Sequence, residues 1–458
     1  MSWGFGVLSR EAGGPHRSAG TVFLIVLGVA AVARLLFLGQ RELWLDELFS
    51  YAFAITPRSE IFWPSTTLPH APLYFLLISF LPADASDIAF RLPSVLFGIT
   101  TVGILTHFVI RRRGIREGGL VGLLLALNPL AVYWSREVRM YALYGLLVTL
   151  MILLVLSERL SFWGWMLLPA AAFYTFPYAI FYFPWLLWEA LRRRWKERAV
   201  PLLCGFGIVL LWLLPALYYS RSHPGAHTFD RLTPHTAIVF LKQSLAGNAL
   251  TTRPRIRLAI LTATALGSAG LLFLLGGLRE KKRSWERRLF VGALSPLAFY
   301  YPVQFFIDSG FTYRAFFPSS LLLVLLSGLG LAKIKVRFLR WIVLGGMLLS
   351  YLWILSLYFQ PAFPYNWNTP RTRRYAVEFS KLAETNGSEA QWYFRTFPAA
   401  MAAVRYAPPS FKRKFLDPEI WTSQLLPMER EYFGRFFQRQ GIIVGVPKRK
   451  DGKIVEIR

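Results

Sequence analysis

The sequence predicts a polytopic α-helical membrane protein of about eleven spans, followed by a small C-terminal α/β domain. Three observations predict it. Hydrophobic residues make up 55% of the 458, the mean hydropathy is +0.41, and apolar runs of roughly 20 residues recur along the chain, each able to cross a ~30 Å hydrocarbon core as a helix. Basic residues collect in short connectors between these runs. From Gln360 onward the chain turns polar, charged and Pro-punctuated.

The spans are read near 20–38, 89–110, 118–133, 139–157, 162–177, 178–191, 199–219, 256–278, 289–306, 314–332 and 339–359. The connectors RRRGIRE (111–117), RRRWKER (192–198), REKKRSWERR (279–288) and KIKVRFLR (333–340) carry the positive-inside signal, so all four face the cytoplasm if the N-terminus does. HAPLYFLLISFL (70–81) is too short to span and is read as a helix lying in the outer interface. The N-terminus, with Arg10 and Arg17 and no small-residue cleavage site after the first apolar run, reads as an uncleaved span. The net charge of +27 is concentrated in these connectors without a recognition motif, which argues against nucleic acid as a partner. The single cysteine, Cys204, excludes an intrachain disulfide and any zinc site built on two or more thiolates.

The chain thus divides into a membrane domain, residues 1–359, with a first outer loop at 39–88, and a domain at 360–458. In the latter, TPRTRRYAVEFSKLAE reads as a helix with Thr369 as N-cap and Pro370 at its first position. EAQWYFRTF reads as a strand, AAMAAVRYA and PMEREYFGRFFQRQ as helices, and GIIVGVP and KIVEIR as closing strands. An odd span count places this domain outside. Asn386-Gly387-Ser388 matches a glycosylation sequon, but Asn-Gly is first a turn signal.

The chemistry starts at Asp46 and Glu47, two adjacent carboxylates in RELWLDELFSY just past the first span, where charge near lipid is costly. Arg34, Arg91, Arg139 and Arg314 map to the same outer boundary. One arginine there is accounted for by snorkelling to headgroups. Four beside a carboxylate pair read as an anion site, and a phosphate at the lipid surface is the natural guest for guanidinium forks.

Five blocks resemble, in order, segments of the GT-C polyprenyl-phosphate-dependent glycosyltransferases, a superfamily that includes the protein mannosyltransferases and the aminoarabinose transferases acting on lipid A. They are ARLLFLGQRELWLDELFSY, HAPLYFLL, FRLPSVLFGI, NPLAVYWSREVRMYALYGLL and YRAFFPSSLLLVLLSGLGL, and together they cover the membrane region. The resemblance implies a GT-C fold and an inverting glycosyltransferase at the outer face of a prokaryotic cytoplasmic membrane. Its donor would be a polyprenyl-phosphate-linked hexose or pentose, and its acceptor a glycolipid, envelope polymer or protein hydroxyl. It further implies Asp46 as general base, Glu47 and His70 as orienting groups, and Arg139 and Arg314, with Arg34 and Arg91 beside them, as the cations facing the leaving phosphate. Tyr141 and Tyr313 are candidates to hydrogen-bond that phosphate, with packing in the interfacial aromatic belt as the alternative role for each.

Two departures are visible. Ala71 replaces the first proline of the family's His-Pro-Pro block, and Thr175-Phe176-Pro177-Tyr178 stands where many members have Thr-His-Tyr. His223, His227 and His235 share one outer loop, but Pro224 and Gly225 break helical spacing, so the loop is not read as a metal site, and no cofactor is expected. The competing reading is a lipid-linked-sugar flippase or other secondary transporter. Such proteins show broken helices and paired repeats about the midplane, whereas charge here collects at one boundary.

Overall fold

The computed structural model describes residues 15–67, 70–192, 195–222, 231–247, 253–278, 284–306, 312–360, 375–386, 390–408, 411, 413–419, 433, 435–447 and 454–457. The chain opens with α1 (Pro15–Leu35), three short helices, α2 (Leu45–Ala54), α3 (Arg58–Thr67) and α4 (Leu73–Ile78), and the long α5 (Asp87–Arg113). Next come α6 (Ile115–Leu127), α7 (Pro129–Ser135), α8 (Tyr141–Leu156), α9 (Phe162–Thr175), α10 (Phe183–Leu191) and α11 (Trp195–Ser222). The helical domain closes with α12 (Pro234–Ala246), α13 (Pro254–Leu278), α14 (Trp285–Val303), α15 (Phe317–Ala332) and α16 (Arg337–Tyr358).

By length and composition, six helices among the described residues are able to cross a membrane, or seven when α6 and α7, bent by 58°, count as one span. This is fewer than the eleven read from apolar runs. Helices do stand at the remaining predicted positions, but α8, α9 and α10 have 16, 14 and 9 residues, short of a full crossing. The α6–α7 break follows from Asn128-Pro129. A residue before proline avoids the α region, and Asn128 sits at ψ 121° and accepts from the Ala131 amide at 2.9 Å, capping α7. Its amide donates to the Ser244 carbonyl and the Tyr351 hydroxyl, which pins the bend.

The centre of the bundle is the span at Tyr313–Ala332, whose apolar window is 94% buried. It meets α13 backbone to backbone. A Cβ on Gly330 would strike the Gly270 carbonyl, and Ser327 Oγ donates to the Gly267 carbonyl at 2.8 Å, the small-residue packing that lets membrane helices approach closely. Peripheral helices turn large apolar side chains outward, among them Leu211, Tyr218, Leu258 and Phe338. Such a surface suits lipid rather than water. At the end carrying the basic connectors, buried Glu286 pairs with Arg113, and Glu189 accepts from Arg288 at 2.8 Å.

HAPLYFLLISFL forms the six-residue α4. Rather than lying wholly at an interface, it buries Tyr74, Phe75 and Ile78 within the fold, and Phe75 stacks on Phe53 of α2 at 4.5 Å.

The C-terminal unit contains α17 (Tyr375–Asn386), β1 (Gln391–Phe394), α18 (Phe397–Tyr406), β2 (Arg413–Leu416), β3 (Ile442–Val444) and β4 (Ile454–Ile457). The strands form one parallel sheet in the order β3-β2-β1-β4, with Gln391 opposite both Arg413 and Ile454. Strand β2 was not anticipated. FKRKFL has no alternation that marks a half-buried strand, yet between two partners it is a central one. Thr369, Pro370 and the Gly387-Ser388 part of the sequon lie outside the described residues. The unit docks over α2 and the N-terminus of α5. Arg405 and Tyr406 donate to the Asp87 carboxylate at 3.1 and 2.7 Å, Tyr406 accepts from the Leu43 amide at 2.7 Å, and Phe49 packs on Phe397 and Phe433.

Candidate active site

The site lies at the end of the bundle opposite the basic connectors, where α5 and α15 begin. Asp46 and Glu47, read from sequence as loop residues, occupy the first turn of α2, where the helix dipole favours carboxylates. Although adjacent, they differ completely in environment.

Glu47 is 1% exposed. Its carboxylate accepts a two-pronged bond from Arg91, Nε at 2.9 Å and Nη2 at 2.7 Å, and also from the amides of Val138 at 2.9 Å and Trp44 at 3.3 Å. Arg91 donates its remaining hydrogens to the carbonyls of Leu38, Arg41 and Glu42. All five guanidinium hydrogens are thus engaged, and the pair fastens the segment leading into α2 to α5 and to the 136–140 turn.

Asp46 is the more open carboxylate, its side chain 21% exposed. Its Oδ2 accepts from Arg314 Nη1 at 2.9 Å. Arg314 sits in a 3-10 turn, Tyr313–Phe316, that leads into α15, and its guanidinium lies 5.9 Å from the Trp134 ring. Arg139 donates from Nη1 to the Asp46 carbonyl at 3.2 Å and reaches Ser50 Oγ at 3.5 Å, while its Nη2 is 3.4 Å from His70 Nε2. Its Nε is buried and has no hydrogen-bond partner. The Arg139 carbonyl accepts from Ser94, itself bonded to the Tyr74 hydroxyl. The Tyr141 side chain lies beside both Arg139, whose guanidinium is 5.8 Å from its ring, and Arg314, and packs on Trp134 at 4.4 Å.

The fold therefore brings Asp46, Glu47, His70, Arg91, Arg139, Tyr141 and Arg314 together. Tyr313, half-buried, precedes Arg314 in the same turn. Arg34 is set apart: fully buried, it donates to the carbonyls of Ala30 and Ala126 and so ties α1 to α6. In place of the family's Thr-His-Tyr run, Phe176 stacks against Tyr178 and packs on Tyr141. Among the described residues, no group of three or more His, Cys, Asp or Glu is placed to hold a metal ion. His223 and His227 lie outside them, and His235 is in the first turn of α12.

Two neighbours were not singled out from sequence. Ser50 lies one turn after Asp46 on α2 and donates to its carbonyl at 3.2 Å; the i, i+4 spacing in DELFS was the available signal. Glu137, in SREVR, is 6% exposed. Burial, reinforced by the charge of Glu47, pushes its carboxyl up to about 8, against the smaller opposing influence of the nearby Tyr133 hydroxyl.

No family model matches the sequence, and no curated protein matches it. Solved structures do match. ArnT from Cupriavidus metallidurans in the apo state superposes with a TM-score of 0.59 at 14% identity, covering 93% of this chain and 90% of that one. ArnT bound to undecaprenyl phosphate gives 0.57 at 14% identity over the same shares. The Archaeoglobus fulgidus oligosaccharyltransferase, in complex with zinc and sulfate, gives 0.45 at 13% identity, over 84% of this chain and 61% of that one. At such identities the ArnT likeness speaks for architecture: the chain shares the fold of ArnT.

Proposed function

We propose that the protein is an inverting glycosyltransferase that moves a hexose or pentose from a polyprenyl-phosphate donor to an acceptor hydroxyl at the outer face of a prokaryotic cytoplasmic membrane. The acceptor class is a glycolipid, an envelope polymer or a protein hydroxyl. One observation carries the reading. Of the adjacent Asp46–Glu47 pair, Asp46 is the partly open acid, 21% exposed against 1% for Glu47, and it is flanked by Arg139 and Arg314, whose guanidiniums retain unengaged hydrogens. The fold shared with ArnT, crystallised with undecaprenyl phosphate, supports a lipid phosphate as the guest.

The geometry supports the following roles. Arg139 and Arg314 face the phosphodiester, and their fixed charge stabilises the phosphate that leaves. Arg314 then exchanges Asp46 for a phosphate oxygen. That frees Asp46 to take the acceptor proton as the acceptor oxygen attacks the anomeric carbon from the side opposite the phosphate. The C–O bond to phosphate breaks, and the lipid phosphate departs with the electron pair. Tyr141 sits between the two arginines, and His70 holds Arg139. Glu47 and Arg91 serve as a positioning pair for α2, and Arg34 as a brace between α1 and α6.

The test is turnover of a panel of polyprenyl-phosphate hexoses and pentoses by purified protein in nanodiscs, with envelope extract as acceptor and products read by mass spectrometry. Asp46→Asn keeps the shape but takes no proton. It is expected to lower turnover ~10²-fold or more while donor binding stays near wild type. Undiminished turnover in Asp46→Asn would remove the mechanism. The transporter reading retains one favourable observation, the broken α6–α7 span. Movement of lipid-linked sugar across vesicles without product formation would establish it instead.

A further inference from the structure

Glu137 is the one acid of the site without a cation. It sits in the turn between α7 and α8, 6% exposed, with Oε2 buried and unpartnered. Among the described residues no arginine or lysine forms an ion pair with it. Its neighbours are accounted for element by element. From α2, Asp46 and Glu47 face it with negative charge; from α7, the Tyr133 hydroxyl lies near it and favours the ionised form; from the turn before α15, Arg314 acts on it at longer range. From α4, Tyr74 feels its charge. Within its own turn, Arg136 lays its guanidinium 4.9 Å from the Phe359 ring, and Arg139 is directed to Asp46, Ser50 and His70. The Val138 amide, which could have served Glu137, serves Glu47. A buried carboxylate with two like charges near it and no paired cation is strongly disfavoured and takes up a proton instead.

We propose that Glu137 is held as the neutral acid at physiological pH and thereby sets the charge of the donor-phosphate site. The inference rests on the glycosyltransferase reading for what the charge is used for, and on the burial and pairing geometry for the charge itself. With Glu137 neutral, the carboxylates of Asp46 and Glu47 face the guanidiniums of Arg91, Arg139 and Arg314. One positive charge is left over, which matches the single negative charge of a phosphodiester. Ionised Glu137 would cancel it. Glu137 is a positioning residue in this scheme: it touches neither acceptor nor phosphate and acts through the field at Arg139 and Arg314. The upward displacement to about 8 agrees with this state and gives the direction of the pH dependence. Below that value the site keeps its positive charge, and above it the charge is lost.

The experiment uses the full chain in nanodiscs and undecaprenyl phosphate as probe. Its second ionisation, with a pKa of about 6, is complete over the range examined. Affinity is measured at pH 7.5 and 9.5 for wild type and Glu137→Gln, a neutral isostere. Wild type should lose about tenfold or more in affinity between the two, as one ionisation above its pKa costs up to a factor of ten per unit. Glu137→Gln should match wild type at pH 7.5 and hold its affinity at 9.5. A parallel alkaline loss in Glu137→Gln, or a tenfold loss already at pH 7.5 in a well-folded variant, would overturn the assignment.

Infrared difference spectra separate this proposal from the function. The C=O stretch of a protonated carboxylic acid at pH 7, absent in Glu137→Gln, identifies the neutral acid without any ligand, and its absence from wild type overturns the proposal. If wild type shows that band and binds no polyprenyl phosphate, the donor reading falls and the assignment of the neutral acid stands. The use proposed for its charge is then refuted along with the donor.

Discussion

Glu47→Gln is the substitution that most directly exposes how the site is built. The two carboxylates of the Asp-Glu pair look equivalent in sequence, but Glu47 is buried and bonded to Arg91 and to two backbone amides. Glutamine keeps the volume and removes the charge. It also turns one acceptor into an NH2 donor that, in either orientation, faces Arg91 and one backbone amide, that of Val138 or of Trp44. Removing one partner of a buried ion pair costs ~3–5 kcal/mol, mostly because the other charge is left uncompensated. Arg91 keeps three carbonyl acceptors, so the low end applies: a loss of about 3 kcal/mol, or ~10²-fold in the folding equilibrium. Turnover should fall as well, because α2 carries Asp46. Unfolding in mixed micelles by SDS titration, followed by circular dichroism, measures the first effect. Asp46→Asn is the control. Its partner Arg314 is about one-third exposed, and solvent screening keeps such pairs near 0–1 kcal/mol, so its stability should stay within about 1 kcal/mol of wild type. A double variant, Glu47→Leu with Arg91→Met, should regain part of the loss, with the stranded carbonyls of Leu38, Arg41 and Glu42 limiting recovery. The reasoning is refuted if Glu47→Gln unfolds within about 0.5 kcal/mol of wild type, or if Asp46→Asn is the more destabilised of the two.

Other outcomes follow from the same contacts. Arg139→Ala and Arg314→Ala should weaken undecaprenyl phosphate binding by about tenfold or more each, as expected for a lost charge-assisted bond, and the lysine variants should recover only part of it because an ammonium lacks the fork; isothermal titration or microscale thermophoresis reads this. Tyr406→Phe removes the hydroxyl that joins the Leu43 amide to Asp87. It should cost ~1–3 kcal/mol and raise hydrogen exchange selectively in the segment leading into α2. A reporter fused after Lys450 should lie outside the cytoplasm and one within RRRGIRE inside. A cytoplasmic C-terminal reporter would overturn the orientation.

What the sequence determined by itself is what depends on neighbours along the chain. Apolar runs, basic connectors and the polar tail are local signals, and the helices and the division into a helical part and a small α/β unit follow them; the bend at Asn128-Pro129, strand β2 and the parallel pairing were not read from sequence. Asp46, Arg139 and Arg314 were legible as members of one site because charge near lipid needs a reason and because their blocks occur in a known order. The tertiary structure decided how the residues divide the work. Adjacent residues on a helix point about 100° apart, so whether Asp46 or Glu47 meets Arg91 depends on how α5 packs, 44 positions away. Arg34 and Arg91 share the boundary with Arg139 and Arg314, yet backbone carbonyls of other segments absorb them. Glu137 is neutral because of what fails to reach it, and no local pattern records an absent cation. The number of spans is not legible in apolar runs alone for a related reason. Helices packed inside a bundle are as apolar as those that face lipid, and α8, α9 and α10 are too short to cross alone. Sequence carries the pattern of burial, while length and pairing in three dimensions decide what the burial is for.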